Sequence, residues 1–131
     1  MIKDIVVNLA LAHTHDPATD YAMSVAQTFN AHVTGVVFLF DPVISPSVMD
    51  GVSAEWIEAQ RSESQVIAHA AIDRFEQAAA RSGLSFRHRI IEATLGGATD
   101  LFGRIGRRFD LVVVGQSEPN HVVPSDMFVE A

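Results

Sequence analysis

The sequence has no cysteine, few cations and no long hydrophobic run, and each of these absences excludes a class of protein. A chain of 131 residues without cysteine cannot form a disulfide framework, a thiolate metal site or a cysteine nucleophile. Lys and Arg number 9 against 16 Asp and Glu, and the resulting net charge of −7 disfavours nucleic acid and anionic membrane surfaces as partners. No run approaches the ~18 apolar residues of a membrane span, and the first residues lack a signal-peptide layout. We therefore expect a cytoplasmic protein that binds neither nucleic acid nor membrane.

Apolar runs of strand length recur along the chain. Residues 5–9, 32–40 and 111–114 are nearly continuous apolar runs rich in β-branched side chains, which is typical of strands buried on both faces. Residues 86–90 instead alternate polar and apolar side chains, which predicts a strand at the edge of a sheet. The sequence therefore predicts three interior strands and one edge strand.

Three segments between these strands have helical periodicity. They are residues 16–30, 53–82 and 96–109. Asp16 followed by Pro17 predicts the start of the first helix, and Gly83 is placed to end the second. The positions predicted to face the core are Ala18, Tyr21, Ala22, Val25, Ala26, Phe29, Ile67, Ala70, Ala71, Phe75, Ala78, Ala98, Leu101, Phe102, Ile105 and Phe109. The first half of the second helix is polar apart from Trp56 and Ile57, which fit an exposed contact as well as docking on the core.

The order β-α-β-α-β-α-β predicts an α/β fold with a Rossmann-like open parallel sheet and helices on both faces. After Gly115 the pattern changes, and residues 116–124 are polar and contain proline. A helical pattern begins at Ser125 only a few residues before Ala131. Because residues 111–114 have the composition of an interior strand, we expect that the chain stops before its last helix and strand. An exposed sheet edge of this kind favours association of two chains, as a homodimer or with a partner.

Four segments together resemble the universal stress protein (UspA-like) family. They are residues 3–7, 31–37, 96–100 and 110–115, and they occur in the order and spacing of that family. The resemblance implies a sheet of the adenine nucleotide alpha hydrolase-like type with strand order 3-2-1-4-5. It implies a single domain over residues 1–131 that lacks the fifth strand, which often mediates dimer formation. It also implies a role in stress adaptation.

The sequence departs from the ATP-binding members of this family after the first strand and in the loop after the fourth strand. Those members have an aspartate just after the first strand, where this sequence has Ala10. They also have a glycine-patterned loop after the fourth strand, whose backbone N–H groups approach phosphates closely. Gly115 keeps the first place of this pattern, but Glu118 occupies the second.

The end of the same loop also departs from the pattern. An ungapped alignment places Phe128 and Val129 at the closing glycine and hydroxyl, whereas a shorter loop places Pro124 and Ser125 there. The pattern is broken on either alignment. The resemblance thus implies a degenerate ATP site at Ala10, Val37, Gly115, Gln116, Ser117 and Ser125.

The loops at the carboxyl ends of the strands are where a ligand of such a sheet binds. Residues 10–16, 40–52 and 115–125 contain no Lys or Arg, so ATP would meet carboxylates and need Mg²⁺ to offset the charge. The sequence also lacks a dinucleotide-binding glycine motif, a P-loop, a nucleophile elbow and the carboxylate cluster of a receiver domain. We therefore expect no catalysis.

One cluster of potential metal ligands follows the first strand. His13, His15 and Asp16 could bind a transition metal, with His121 approaching from the loop after the last strand. The favoured interpretation is a solvated loop in which Asp16 caps the helix.

The sequence therefore predicts a non-catalytic regulatory or interaction domain of the universal stress protein type, with no cofactor. One alternative is an ATP-binding member with a variant phosphate loop and at most slow hydrolysis. A second alternative is a small-ligand or metal-binding module that uses His13 and His15.

Overall fold

The computed structural model describes residues 1–11, 16–40 and 51–115 of the chain. In these ranges four strands and three helices alternate, as the sequence predicts. They are β1 (Asp4–Asn8), α1 (Pro17–Phe29), β2 (His32–Phe40), α2 (Ala54–Arg81), β3 (Phe86–Ala93), α3 (Leu95–Gly106) and β4 (Leu111–Val113).

The four strands form one parallel sheet in the order β3-β2-β1-β4. Ile5 in the central strand β1 lies opposite Val33 of β2 and Leu111 of β4. The predicted order 3-2-1-4 and the predicted edge position of β3 are both confirmed. The fold is therefore an α/β Rossmann-like sheet.

The predicted start of α1 and the predicted end of α2 are both present in the structure. Asp16 is the N-cap of α1, and its side chain accepts hydrogen bonds from the backbone of that helix. Asn30 ends α1 with a left-handed backbone (φ 52°). Gly83 follows α2 with φ 67°, a conformation that costs glycine little. None of the helices in the described ranges combines the length and apolarity that crossing a membrane requires.

The larger core cluster lies between the sheet and the helices α1 and α2. Ile5, Val33 and Val37 of the sheet are fully buried there, together with alanines of both helices. Phe75 of α2 is buried in this cluster and meets Phe86 edge-to-face, with ring centroids 6.2 Å apart. Gly35 of β2 makes room for Phe75, because a Cβ at this position would lie 2.9 Å from the phenyl ring.

A smaller cluster lies on the opposite face of the sheet, under α3. Its buried members are Val6, Val36, Phe38, Ala98 and Phe102. Phe102 meets Phe38 edge-to-face with centroids 6.0 Å apart. Helices therefore pack on both faces of the sheet, as predicted.

The predicted core-facing stripes of the helices are partly wrong. Tyr21 is 60% exposed, and Phe29, Ile67 and Leu101 are also exposed. The additional buried positions are Thr19, Met23, Ala68, Ile72 and Ala79. The physical reason is that the faces of α1 and α2 that contact the sheet are rotated relative to the predicted stripes, so that Met23 and Ile72 are buried in place of Tyr21 and Ile67.

Strand β4 also differs from the prediction of a strand buried on both faces. Val113 is buried, but Val112 is 42% exposed. The cause is that β4 pairs only with β1 among the described residues and so forms an edge of the described sheet.

The start of β4 is fastened to β1 by Asp110. Its Oδ2 accepts hydrogen bonds from the backbone N–H groups of Lys3 (2.8 Å) and Asp4 (3.0 Å). These two bonds, that of Lys3 first, hold the pKa of the Asp110 carboxyl below its ordinary value. Asp110 therefore joins the two neighbouring strands at the amino edge of the sheet.

Candidate functional site

The topology places the candidate site at the carboxyl ends of β1 and β4. The chain adds β2 and β3 on one side of β1 and then returns to add β4 on the other. Ligands of open α/β sheets bind at the crevice where the strand order reverses in this way. Ala10 follows β1 at this place, Gly115 follows β4, and α1 begins beside them at Pro17.

Asp16 is the carboxylate that lies at this crevice. Its Oδ1 accepts hydrogen bonds from the backbone N–H groups of Ala18 (3.1 Å) and Thr19 (3.4 Å). Its Oδ2 accepts from the Ala10 N–H (3.0 Å) and from the Thr19 hydroxyl (2.8 Å). Both oxygens are therefore engaged in closing the β1–α1 connection, and the negative charge lies at the favourable end of the α1 dipole.

Two of the residues predicted from the resemblance lie together at the crevice. Ala10 is half-buried and its N–H is held by Asp16. A Cβ on Gly115 would lie 4.0 Å from the Ala18 Cβ, so the backbone after β4 passes close to the first turn of α1. Val37 lies elsewhere, because its side chain is fully buried in the cluster under α1 and α2. Its role in a ligand site stays a prediction.

The remaining predicted site residues lie outside the described ranges. These are Gln116, Ser117 and Ser125, together with Glu118 in the variant loop and the histidines His13, His15 and His121. Within residues 1–11, 16–40 and 51–115, no group of three or more His, Cys, Asp or Glu side chains could bind a metal ion.

An open groove between α1 and β4 forms one side of the crevice. It has a volume of about 560 Å³ and is lined by Pro17, Ala18, Tyr21, Leu111, Val112, Val113, Val114 and Gly115. No charged side chain belongs to this lining, and the Tyr21 hydroxyl is its one polar side-chain group. The described wall of the crevice therefore offers apolar surface and backbone groups, but no cation for a phosphate.

A second, smaller groove between α1 and α2 forms the other side. It has a volume of about 240 Å³, and its lining includes Ala10 and Asp16 as well as Arg74 and Arg81 of α2. These two arginines lie on a helix, outside the loops in which the sequence predicts the ligand contacts. Arg74 and Arg81 are seven residues apart, so the sequence alone places them on one face of α2. That this face lies beside Ala10 follows only from the packing of α2 against α1.

A broad depression lies along α3. It has a volume of about 1170 Å³, and its lining includes glycines of α3, Val112 of β4 and the charged side chains of Asp100 and Arg104. Asp100 and Arg104 form an exposed ion pair with each other (3.2 Å). The reversal of strand order points instead to the ends of β1 and β4, and we therefore place the candidate site there.

The fold is shared with solved structures. No protein-family model matches the sequence, and no curated protein matches it. A universal stress protein family member from Burkholderia pseudomallei superimposes with a TM-score of 0.65 at 18% identity, over 85% of this chain and 79% of that one.

Two further structures of this kind contain a bound nucleotide. A universal stress protein in complex with cAMP matches 98% of this chain and 89% of its own, with a TM-score of 0.56 and 17% identity. A universal stress protein family member from Arabidopsis thaliana with AMP bound matches 85% of this chain and 76% of its own, with a TM-score of 0.55 and 13% identity. The resemblance seen in the sequence is thus confirmed at the level of architecture, and this chain has the universal stress protein fold.

Proposed function

We propose that this chain is a non-catalytic regulatory or interaction module of the universal stress protein type, whose nucleotide site has degenerated. The main support for the proposal is the hydrogen bonding of the Asp16 carboxylate at the crevice. Position 10 is an alanine, and the nearby Asp16 uses both oxygens to cap α1 and to hold the Ala10 N–H. No described carboxylate at this point is left to orient a nucleotide.

The apolar wall of the α1–β4 groove supports the same proposal. A triphosphate has a large negative charge, and its burial is costly without a cation or a set of N–H donors. The described lining of this groove supplies no cation. The chain as a whole is strongly acidic, which adds to the repulsion.

A second candidate function is the binding of an adenine nucleotide. It is favoured by the two structural neighbours that hold cAMP and AMP. It is also favoured by the position of Gly115, which brings backbone close to the first turn of α1 at the end of β4. On this alternative the variant loop after Gly115 supplies the remaining contacts.

The two candidates are separated by a restoration experiment. The double variant Ala10→Asp with Glu118→Gly introduces the aspartate after the first strand and the second loop glycine of the ATP-binding members. The control variant, Ala10→Asn with Glu118→Gly, has an amide of the same size in place of the new carboxylate. If the site has degenerated at these positions, calorimetry with ATP and Mg²⁺ should detect binding only by the aspartate variant. Micromolar affinity in the unmodified chain would contradict the proposal and favour the second candidate. Phosphate release from ATP, measured with the same samples, tests the expected lack of catalysis.

We further propose that two chains associate through the edge of the sheet at β4. The support is that Val112 of β4 is exposed and that β4 pairs only with β1 among the described residues. Light scattering after gel filtration should give a dimer mass for the unmodified chain and a monomer mass for Val112→Lys. The control is Val66→Lys, which places the same charge on the exposed surface of α2 and should leave the dimer intact. A monomer mass for the unmodified chain would contradict this association.

A further inference from the structure

We propose that the groove between α1 and α2 binds a small oxyanion, a carboxylate or a phosphate group, through Arg74 and Arg81. This groove opens on the α2 side of Ala10, whereas the α1–β4 groove lies on the other side of α1. The inference goes beyond the proposed function, because it concerns a ligand that is not a nucleotide and a wall that belongs to α2.

The two guanidinium groups are the reason to expect an anion. Arg74 and Arg81 are two turns apart on one face of α2, a rise of roughly 10 Å. With the described residues, neither side chain forms an ion pair or a hydrogen bond. Arg74 is half-buried and Arg81 is exposed, and both side chains line the groove. An oxyanion would supply charge-assisted hydrogen bonds to these two guanidinium groups.

The opposite wall limits the kind of anion that fits. Asp16 and Asp20 of the α1 side line the same groove. Asp16 directs its oxygens to Ala10 and to the start of α1, and Asp20 has interactions of its own. Their charges repel any extended polyanion that reaches across the groove. A ligand with one compact anionic group can remain on the arginine side.

The size and floor of the groove point to the same class of ligand. Its volume of about 240 Å³ lies below the ~300–1,000 Å³ that sites for drug-sized ligands occupy. Leu9 and Phe75 form an apolar floor, and Gln77 adds an amide donor beside the arginines. The apolar floor strengthens a nearby charge-assisted hydrogen bond, because it lowers the local dielectric. The groove is therefore suited to a phosphate or a short carboxylate, and too small for a nucleotide.

The test is a titration of the full chain with inorganic phosphate and, separately, with succinate, each against sodium chloride at matched ionic strength. Chemical shifts of the Arg74 and Arg81 Nε–H groups and of the Ala10 amide report binding in this groove. We expect saturable shifts with at least one of the two anions. The Arg74→Gln variant should weaken that binding by about tenfold or more, since a charge-assisted contact is lost. The anion that binds more tightly then shows whether the groove prefers a phosphate or a carboxylate group.

Arg87→Gln is the matched control, because it removes the same charge from an exposed position on β3 that does not line the groove. It should bind with unchanged affinity. Equal weakening by Arg74→Gln and Arg87→Gln would show a general charge effect and overturn the proposal. Chemical shift changes that follow the ionic strength without saturating would also overturn the proposal. Neither result bears on the nucleotide site, which is measured with ATP.

Discussion

The two faces of the sheet are packed very differently. On one face, α1 and α2 enclose a large cluster that joins β1, β2 and both helices and includes the fully buried Phe75. On the other face, the described residues contribute α3 alone, and the buried cluster around Phe102 is small. The first face therefore provides most of the stability of the described fold. The second face and the β4 edge are less constrained by the core, which favours the β4 edge as the place where two chains associate.

The largest expected effect comes from truncating the central phenylalanine of the well-packed face. Phe75 and Phe102 are each 1% exposed and each meets another phenylalanine edge-to-face, so they form a matched pair. Phe75→Ala should lower the free energy of unfolding by about 5 kcal/mol and Phe102→Ala by about 3 kcal/mol, because a cavity costs more where the surroundings cannot collapse. Urea denaturation of both variants measures the difference. A larger loss for Phe102→Ala would reverse the comparison of the two faces.

An added methyl group sharpens the same comparison from the opposite direction. In Gly35→Ala the new Cβ would lie 2.9 Å from the Phe75 ring and 3.0 Å from Leu9 Cδ1, so the variant should lose about 1–3 kcal/mol. In Gly103→Ala of α3 the new Cβ meets no atom of the described residues within 4 Å, so the variant should gain about 0.5–1 kcal/mol from helix propensity. Thermal unfolding of the two variants gives the signs. A stabilised Gly35→Ala would mean that the packing around Phe75 is looser than described.

The helix cap at Asp16 tests how α1 is held on the well-packed face. Asp16→Ala removes four hydrogen bonds at the start of α1 and should cost about 1–2 kcal/mol. Asp16→Asn keeps an acceptor at the cap and should cost less than about 1 kcal/mol. Hydrogen exchange at the Ala10 and Ala18 amides should rise much more in the alanine variant. Equal exchange rates in both variants would show that the carboxylate does not close this connection.

The smallest effect is expected at Asp110, which fastens the β4 edge. Its pKa is lowered by hydrogen bonds from the backbone of Lys3 and Asp4, so the folded state binds its proton less tightly than the unfolded state. The resulting stabilisation is fully present above about pH 4 and is lost as the pH falls through the lower, folded-state pKa. Asp110→Asn should therefore reduce the stability difference between about pH 6 and about pH 2.5. An unchanged pH profile in denaturant titrations would exclude this contribution.

Much of the fold could be predicted from the sequence because it follows from local patterns. The strand runs, the cap at Asp16, the stop at Gly83 and the edge character of β3 each depend on residues next to each other in the chain. The face of each helix that contacts the sheet could not be predicted exactly, because periodicity does not show which side chains along a broad apolar stripe touch the sheet. Tyr21 is the clearest case, since it shares a helical stripe with Ala18 and is nevertheless exposed.

The candidate site could be predicted only in part, for a related reason. The topological rule and the resemblance led to Ala10 and Gly115, which do lie at the crevice. Arg74 was missed because it lies in the middle of a long helix, and only tertiary packing brings it beside the end of β1. The engagement of Asp16 with Ala10 is likewise a contact across a loop that the sequence pattern does not specify.

The proposal that the nucleotide site of this chain has degenerated can be decided by isothermal titration calorimetry. The unmodified chain is titrated with ATP and Mg²⁺, and then with AMP and cAMP. We expect no saturable heat at ligand concentrations in the high micromolar range. Saturable binding of any of the three nucleotides with micromolar or tighter affinity would show that the site is functional.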